Sequence, residues 1–204
     1  MPFVTFEGID GSGKSTLLKL FAQHLKQLGL PVEITREPGG SDLGRELREI
    51  LLRPEGVPPC PEAELLIYEA DRAQHVATKI RPWLDQNIWV LSDRFYDSSL
   101  AFQGAGRKLK TEDVIWLNQF ATKGLKPALT VLTDCSVDVS QKRRQARKAD
   151  RFENEKTQFH ETVRQEFLAI AKKDPERFFI INSEKAPNEL LQMLLTEVKK
   201  RGLL

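Results

Sequence analysis

The chain has 204 residues, 40% apolar and 29% charged, which suits a folded globular domain that needs neither disulfide nor metal to build a core. Its 31 Lys and Arg against 29 Asp and Glu leave a formal charge of +2, too balanced for a dedicated nucleic-acid binder, so any basic chemistry must be local. No apolar run approaches the ~20 residues of a membrane helix, and the two distant cysteines, Cys60 and Cys135, argue against a disulfide framework or a zinc site. The opening MPFVTFEG has neither the basic nor the apolar region of a signal peptide, so a reducing cytoplasm is the expected compartment.

The first strand is expected at Phe3-Val4-Thr5-Phe6. Leu17, Leu18, Phe21, Leu25 and Leu28 then share one face of a helix that Gly29 should stop. A second strand, Val32-Glu33-Ile34-Thr35, leads to a helix carrying Arg48. A long helix then precedes the third strand, Ile88-Trp89-Val90-Leu91. Thr111 should cap a helix bearing Val114, Leu117 and Ala121. After the fourth strand, Leu129-Thr130-Val131-Leu132, comes a helix with Phe159, Val163, Phe167 and Ile170 on one face, and Pro175 beyond it. The fifth strand is Phe178-Phe179-Ile180-Ile181, and Pro187 should open a last helix with Leu191, Leu194 and Val198. Neither a repeat nor a composition break marks a linker, so residues 1–204 read as a single domain. The alternation predicts an α/β fold: a five-stranded parallel sheet with helices on both faces and ligands at the carboxyl ends of the strands.

Directly after the first strand, Gly8-Ile9-Asp10-Gly11-Ser12-Gly13-Lys14-Ser15 fits G-x-x-x-x-G-K-[ST] in full. Its glycines let backbone N–H groups turn inward around phosphate oxygens, and the following helix N-terminus adds positive potential. Lys14 would reach the β- and γ-phosphates and the Ser15 hydroxyl would bind Mg²⁺. Gly8 through Ser15, with Thr16 next on the helix, therefore form the expected ATP-binding stretch. A GTPase would normally read guanine with Asn-Lys-x-Asp after a late strand. Neither Asn182-Ser183-Glu184-Lys185 nor Thr122-Lys123-Gly124 matches.

Transfer between two phosphates requires cations on both sides of the reacting group, because two anions must meet. Arg36, Arg48 and Arg94 lie at or near strand ends, and a guanidinium fork can hold two phosphate oxygens at once. Arg48, between Glu46 and Glu49, reads equally well as a surface ion pair. Asp93, beside Arg94, could hold Mg²⁺ through its water shell. Segment 141–153 carries six cations and little apolar periodicity. It reads either as a solvated helix face or as a basic lid that brings arginines in when substrates bind.

Together these residues resemble the thymidylate kinase family, over nearly the whole chain. Three segments carry the resemblance beyond the phosphate loop: Thr35–Gly40 (TREPGG), Ala70–His75 (ADRAQH) and Asp93–Gly104 (DRFYDSSLAFQG). The lack of an arginine in Asp10–Ser12, with the basic stretch near 143–151, resembles the bacterial type of lid. The resemblance implies transfer of the γ-phosphoryl group of ATP to dTMP, with Mg²⁺, in a cytoplasmic homodimer. Its candidate interface is the helices around 61–86 and 111–124, and neither nucleic acid nor membrane is a partner. It implies that Tyr68 stacks on thymine and that Arg72 bonds the base edge with Ser99 and Gln103. Phe102 would pack by the deoxyribose and Asp10 would meet the 3′-hydroxyl end. Arg36, Arg48 and Arg94 would face the acceptor phosphate. Arg143 would lie against adenine, and Arg147 and Arg151 would reach phosphates from the lid. Lys14, Asp93, Arg94, Arg147 and Arg151 are thus the expected catalytic set.

Two departures from the family pattern stand out. Phe95 replaces a frequent Tyr, and Glu69 replaces a small residue beside Tyr68, where it is expected to point away from the base. Cys135 reads as a small buried residue, and Trp83, Trp89 and Trp116 as core or interface. The rival readings are a kinase for another nucleotide or a deoxynucleoside, and a nucleotide-gated binding protein with incidental turnover.

Overall fold

The computed structural model describes residues 2–53, 56–144, 151–152 and 155–204. The strands are β1 (Phe3–Glu7), β2 (Val32–Arg36), β3 (Trp89–Asp93), β4 (Leu129–Asp134) and β5 (Phe178–Asn182). Each runs one or two residues past the apolar segment that announces it. The added residues are polar, but the ladder continues through them, pairing Phe6 with Asp93, Arg36 with Asp93 and Asp134 with Asn182. The apolar pattern marks what the sheet buries, whereas its carboxyl edge is polar because the site is built there. Among the described residues the strands form one parallel five-stranded sheet in the order β2-β3-β1-β4-β5. The central strand β1 thus delivers the phosphate loop between the ends of β3 and β4.

Helix α1 (Lys14–Gln27) and helix α9 (Pro187–Lys200) cover one face, closing a core of Phe6, Phe21, Leu25, Leu91, Val131 and Leu194. Gly29 stops α1 as expected. It takes φ +76°, and Leu30 N donates to Leu25 O at 3.1 Å, a left-handed cap that a side chain would disfavour. The other face is covered by α8 (Thr157–Lys173), whose Val163, Phe167 and Ile170 pack on Ile9, Phe102 and Phe152. Helix α2 (Asp42–Leu52) is capped by the Ser41 hydroxyl, which accepts from Gly44 N at 3.0 Å. Helix α3 (Pro61–His75) continues through a π-helical stretch (Val76–Ile80) into α4 (Arg81–Asp85). After β3, α5 (Tyr96–Ser99) runs into a second π-helical stretch (Leu100–Gly106), and α7 (Val137–Arg144) follows β4.

One capping expectation is corrected. Helix α6 (Thr111–Thr122) starts at Thr111, with Lys110 at the cap position and no side-chain cap bond. Glu112 and Asp113 complement the helix dipole there instead.

Candidate active site

The phosphate loop is held tightly from behind. Gly8 has φ +135°, and a β-carbon there would lie 2.4 Å from Thr133 O; Gly11 has φ +81°, and one there would lie 2.5 Å from Ser140 O. Only glycine fits these positions, so the loop can press against β4 and α7 while its N–H groups point outward. The first amides of α1 have no acceptor within the helix and remain available to an anion. Lys14 is buried and lies across the loop, donating to Gly8 O at 3.0 Å and Ile9 O at 2.9 Å. Burial and the repulsion of Arg94 push its pKa down, against the attraction of Asp10, Asp93 and Glu7. Because β1 and β3 are neighbours, the Ser15 hydroxyl meets Asp93, donating to Oδ2 at 2.5 Å.

Arg94 follows β3 with φ +76°, a conformation that costs a non-glycine residue about 1–3 kcal/mol and so has to be held by its surroundings. Its Nη1 donates to Gly8 O (2.9 Å) and Ser98 Oγ (3.0 Å), its Nη2 pairs with Asp10 Oδ1 (2.8 Å), and its guanidinium lies over the Phe102 ring. Burial alone would raise the Asp10 carboxyl. The charges of Arg94 and Lys14 outweigh it and hold that carboxyl well below the usual carboxylate range.

Two clefts open at the carboxyl edge of the sheet, and both are lined by Asp10, Glu37, Arg48 and Arg94. The larger, with about 1290 Å³ of empty space, runs along Gly11–Thr16 with Arg36, Asp93, Arg143 and Arg144. The smaller, about 530 Å³, is walled by Tyr68, Phe102 and Phe152, with Arg72, Ser99 and Gln103 as polar lining. Its three rings meet edge to face, Tyr68 on Phe152 at 6.2 Å and Phe102 on Phe152 at 5.8 Å between centroids. An apolar wall with a few fixed polar groups suits a flat, neutral ring.

Arg72 is 1% exposed and rigidly held. Nε donates to Glu37 Oε2 at 2.8 Å, and Nη1 faces Glu69, Ser99 Oγ at 3.0 Å and Asn118 Oδ1 at 2.7 Å. Nη2 makes no hydrogen bond among the described residues. Glu37 is further held by His75 Nδ1 at 2.9 Å, and His75 Nε2 meets Thr35 Oγ1 at 2.6 Å. The TREPGG and ADRAQH segments therefore meet as one buried network behind the cleft. Glu69 faces Arg72 and does not line the cleft, in keeping with its expected direction; burial raises its pKa against the pull of Arg72. Phe95 is fully buried, edge to face with Phe3 at 4.9 Å and beneath the Arg72 guanidinium, so the position serves as a platform without a hydroxyl.

The remaining expected residues are placed as follows. Arg48 lines both clefts and donates to Pro38 O at 2.8 Å, whereas Arg36 is exposed and, of these two clefts, lines the larger. Gln103 donates to Glu64 Oε1 at 2.8 Å. Arg143 lines the larger cleft and donates to Ser183 O at 2.9 Å. Arg151 lines neither cleft: it donates to Leu51 O (3.0 Å) and Glu64 Oε2 (2.8 Å) and stacks on Phe152. Arg147 lies outside the described residues. Sequence reasoning missed Glu37, Phe152 and Arg144 as lining residues. Glu37 stood inside a singled-out segment, and Phe152 was the sole aromatic residue in the basic run.

A parallel sheet with a phosphate loop at its switch point, joined to a second cleft by a shared arginine, defines a phosphotransferase of the P-loop nucleotide-kinase class. A family model described as "Thymidylate kinase" matches residues 6–194. A thymidylate kinase of Bdellovibrio bacteriovorus is 46% identical, the match covering 100% of this chain and 98% of that one. One of Carboxydothermus hydrogenoformans is 47% identical over 92% of each chain. The crystal structure of thymidylate kinase from Ehrlichia chaffeensis superposes with a TM-score of 0.78 at 31% identity, covering 97% of this chain and 98% of that one. The chain belongs to the thymidylate kinase family, and its reaction is the phosphorylation of dTMP, for which the family uses ATP as phosphate donor.

Proposed function

We propose that the larger cleft takes ATP with Mg²⁺, that the smaller takes dTMP, and that the γ-phosphoryl group passes between them beside Arg94. The single observation that carries this reading is the sharing of Asp10, Glu37, Arg48 and Arg94 by both clefts. Two phosphates held end to end would meet there. A dTMP phosphate oxygen attacks the γ-phosphorus, and the bond to the β–γ bridging oxygen breaks, giving dTDP and ADP without a covalent enzyme intermediate. Lys14 and the loop amides hold the donor phosphates, Arg36 and Arg48 draw in the acceptor phosphate, and Arg94 stabilises the charge spread over the transferring group. Ser15, and Asp93 through water, would hold the Mg²⁺. Their paired oxygens suit a hard cation that keeps most of its water, and when bound it neutralises phosphate charge.

In the acceptor cleft Tyr68 stacks on thymine and Arg72 Nη2 donates to its edge, with Ser99 and Gln103 near the base, Phe102 against the sugar and Asp10 toward the 3′-hydroxyl. Arg143 borders the adenine end. The whole chain acts as one kinase domain with a basic lid at about 141–153, and its dTDP enters dTTP biosynthesis in the cytoplasm. No helix among the described residues is long and apolar enough to cross a membrane. The enzyme works as a homodimer through α3 and α6, whose Leu66, Ile115, Trp116 and Phe120 are exposed.

The test is an acceptor panel of dTMP, dUMP, thymidine and AMP with Mg-ATP. dTMP should be phosphorylated best, with one ADP formed per dTDP. Faster phosphorylation of thymidine than of dTMP would remove the acceptor-phosphate argument, and slow ATP hydrolysis indifferent to acceptor would favour a nucleotide-gated binding protein.

A further inference from the structure

Glu7 ends β1 immediately before the phosphate loop, and its side chain is fully buried. Nothing in the transfer chemistry above uses it. A carboxylate in the middle of a sheet is costly unless each oxygen is paired, so its partners indicate what it does there. Both lie in the segment after β3. Oε1 accepts from Phe95 N at 2.7 Å and Oε2 accepts from Ser98 Oγ at 2.6 Å. The Ser98 hydroxyl also accepts from Arg94 Nη1 at 3.0 Å, and the same nitrogen donates to Gly8 O at 2.9 Å. Residues 7 and 8 therefore hold one guanidinium nitrogen, Gly8 directly through its carbonyl and Glu7 through the serine.

The backbone of Arg94 needs this support because its φ of +76° is held by neither helix nor strand pairing. Its amide donates to Phe6 O at 3.0 Å and its carbonyl accepts from Ser92 Oγ at 2.7 Å. Glu7 fixes the next amide along, at Phe95. A carboxylate meets both donors, whereas a Gln would present its own donor to one of them. The charged groups near Glu7 are Arg94, Asp97 and Lys14, and Asp97 is held in a two-point pair by Arg177 at 2.6 and 3.0 Å. Burial, then the nearby Asp97, raise the Glu7 pKa, while Arg94, the Ser98 hydroxyl and the Phe95 amide pull it down by favouring the ionised form that accepts from both donors.

We propose that Glu7 is a positioning residue for phosphoryl transfer: through Phe95 N and the Ser98 hydroxyl it fixes the turn that aims the Arg94 guanidinium at the junction of the two clefts. This rests on the role given to Arg94 under the proposed function. A cation already aligned stabilises transition-state charge without reorganising, so loss of the support should appear in kcat and hardly in substrate binding.

The experiment compares Glu7→Gln, Ser98→Ala and Arg94→Ala, singly and in pairs, by steady-state kinetics with dTMP and Mg-ATP. Glu7→Gln should lower kcat about tenfold or more, with both KM values changed less than about threefold, and should add less than about twofold to Arg94→Ala. Ser98→Ala should show a smaller loss, again in kcat and again absent without Arg94. If Arg94→Ala alone leaves kcat intact, the role of Arg94 fails, and this proposal with it. If Arg94→Ala lowers kcat while Glu7→Gln leaves it normal, changes mainly KM, or multiplies in full on Arg94→Ala, the positioning role alone is overturned. Should Glu7→Gln not fold, Ser98→Ala decides, and an unchanged kcat there rejects the proposal.

Discussion

Arg94 Nη2 lies 2.8 Å from Asp10 Oδ1, and both residues line the larger and the smaller cleft. The pair holds a cation in place between two sites for anions, and the low pKa of Asp10 keeps the pair ionised through the neutral range. Incoming phosphates would thus find a guanidinium already oriented by Gly8, Ser98 and Asp10. Arg94→Ala should lower kcat about 10²–10³-fold, with the KM for dTMP and for ATP changed far less. Arg94→Lys should not restore the rate, because one ammonium cannot reproduce the fork that meets all three partners. Steady-state kinetics under double saturation check this, and a change confined to KM would mean uniform binding instead.

Arg72 is tied to Glu37 and Glu69 and lines the smaller cleft, proposed above to take dTMP. Its removal has two consequences that separate experimentally. Arg72→Ala should raise the KM for dTMP about 10- to 100-fold while leaving the KM for ATP near wild type, because Arg72 does not line the donor cleft. It should also destabilise the fold by about 3–5 kcal/mol, since two buried carboxylates lose their counterion. Denaturant titration of the free enzyme reads the second effect, and dTMP kinetics well below the unfolding temperature read the first. Unchanged dTMP kinetics with altered ATP binding would reassign α3.

The phosphate loop and all five strands were legible because each is local: a glycine pattern, or a short β-branched and aromatic run bounded by turns. The lining of the smaller cleft was legible through the family resemblance, which named Arg72, Ser99, Phe102 and Gln103 from its segments and Tyr68 from a position just before one of them. What the sequence concealed is who holds those residues. Glu37 anchors Arg72 from 35 positions away, and Glu64 gathers Gln103 and Arg107 from one stretch of the chain and Arg151 from another. Such pairings depend on helix rotation and sheet order, which leave no periodic mark. Arg151 shows the same gap: a cation in a basic run reads as a phosphate ligand, but here it is paired with a buried carboxylate and a helix-end carbonyl.

Trp116 and Phe120 lie one turn apart on α6, stacked at 5.8 Å and 63% and 71% exposed. Ile115 on the same helix and Leu66 on the neighbouring α3 are exposed as well, and exposed apolar side chains of this kind are what an interface uses. On the homodimer proposed above, the wild type should sediment as a dimer and a doubly substituted chain, Trp116→Glu with Phe120→Glu, as a monomer, because two charges would be desolvated against the partner. Analytical ultracentrifugation over a concentration series checks this, and an unchanged dimer in the variant would move the interface elsewhere.

Asp71 accepts from Gly39 N at 3.0 Å through Oδ1, behind the acceptor cleft. Burial, with the repulsion of Glu37 added, pushes its carboxyl up to about 6, against the pull of the Gly39 amide, His75 and Arg72. The unfolded chain releases this proton near 3.8, so between the two values the folded state binds more protons than the unfolded state. The stabilisation is complete below about 3.8 and is lost as the pH rises through about 6. Asp71→Asn keeps the Gly39 bond and removes the titration, so the fall in unfolding free energy from pH 4 to pH 7.5 should shrink by on the order of 2 kcal/mol. Denaturant midpoints for both proteins across that range decide it: superimposable pH profiles would mean that Asp71 ionises as an ordinary surface carboxylate does.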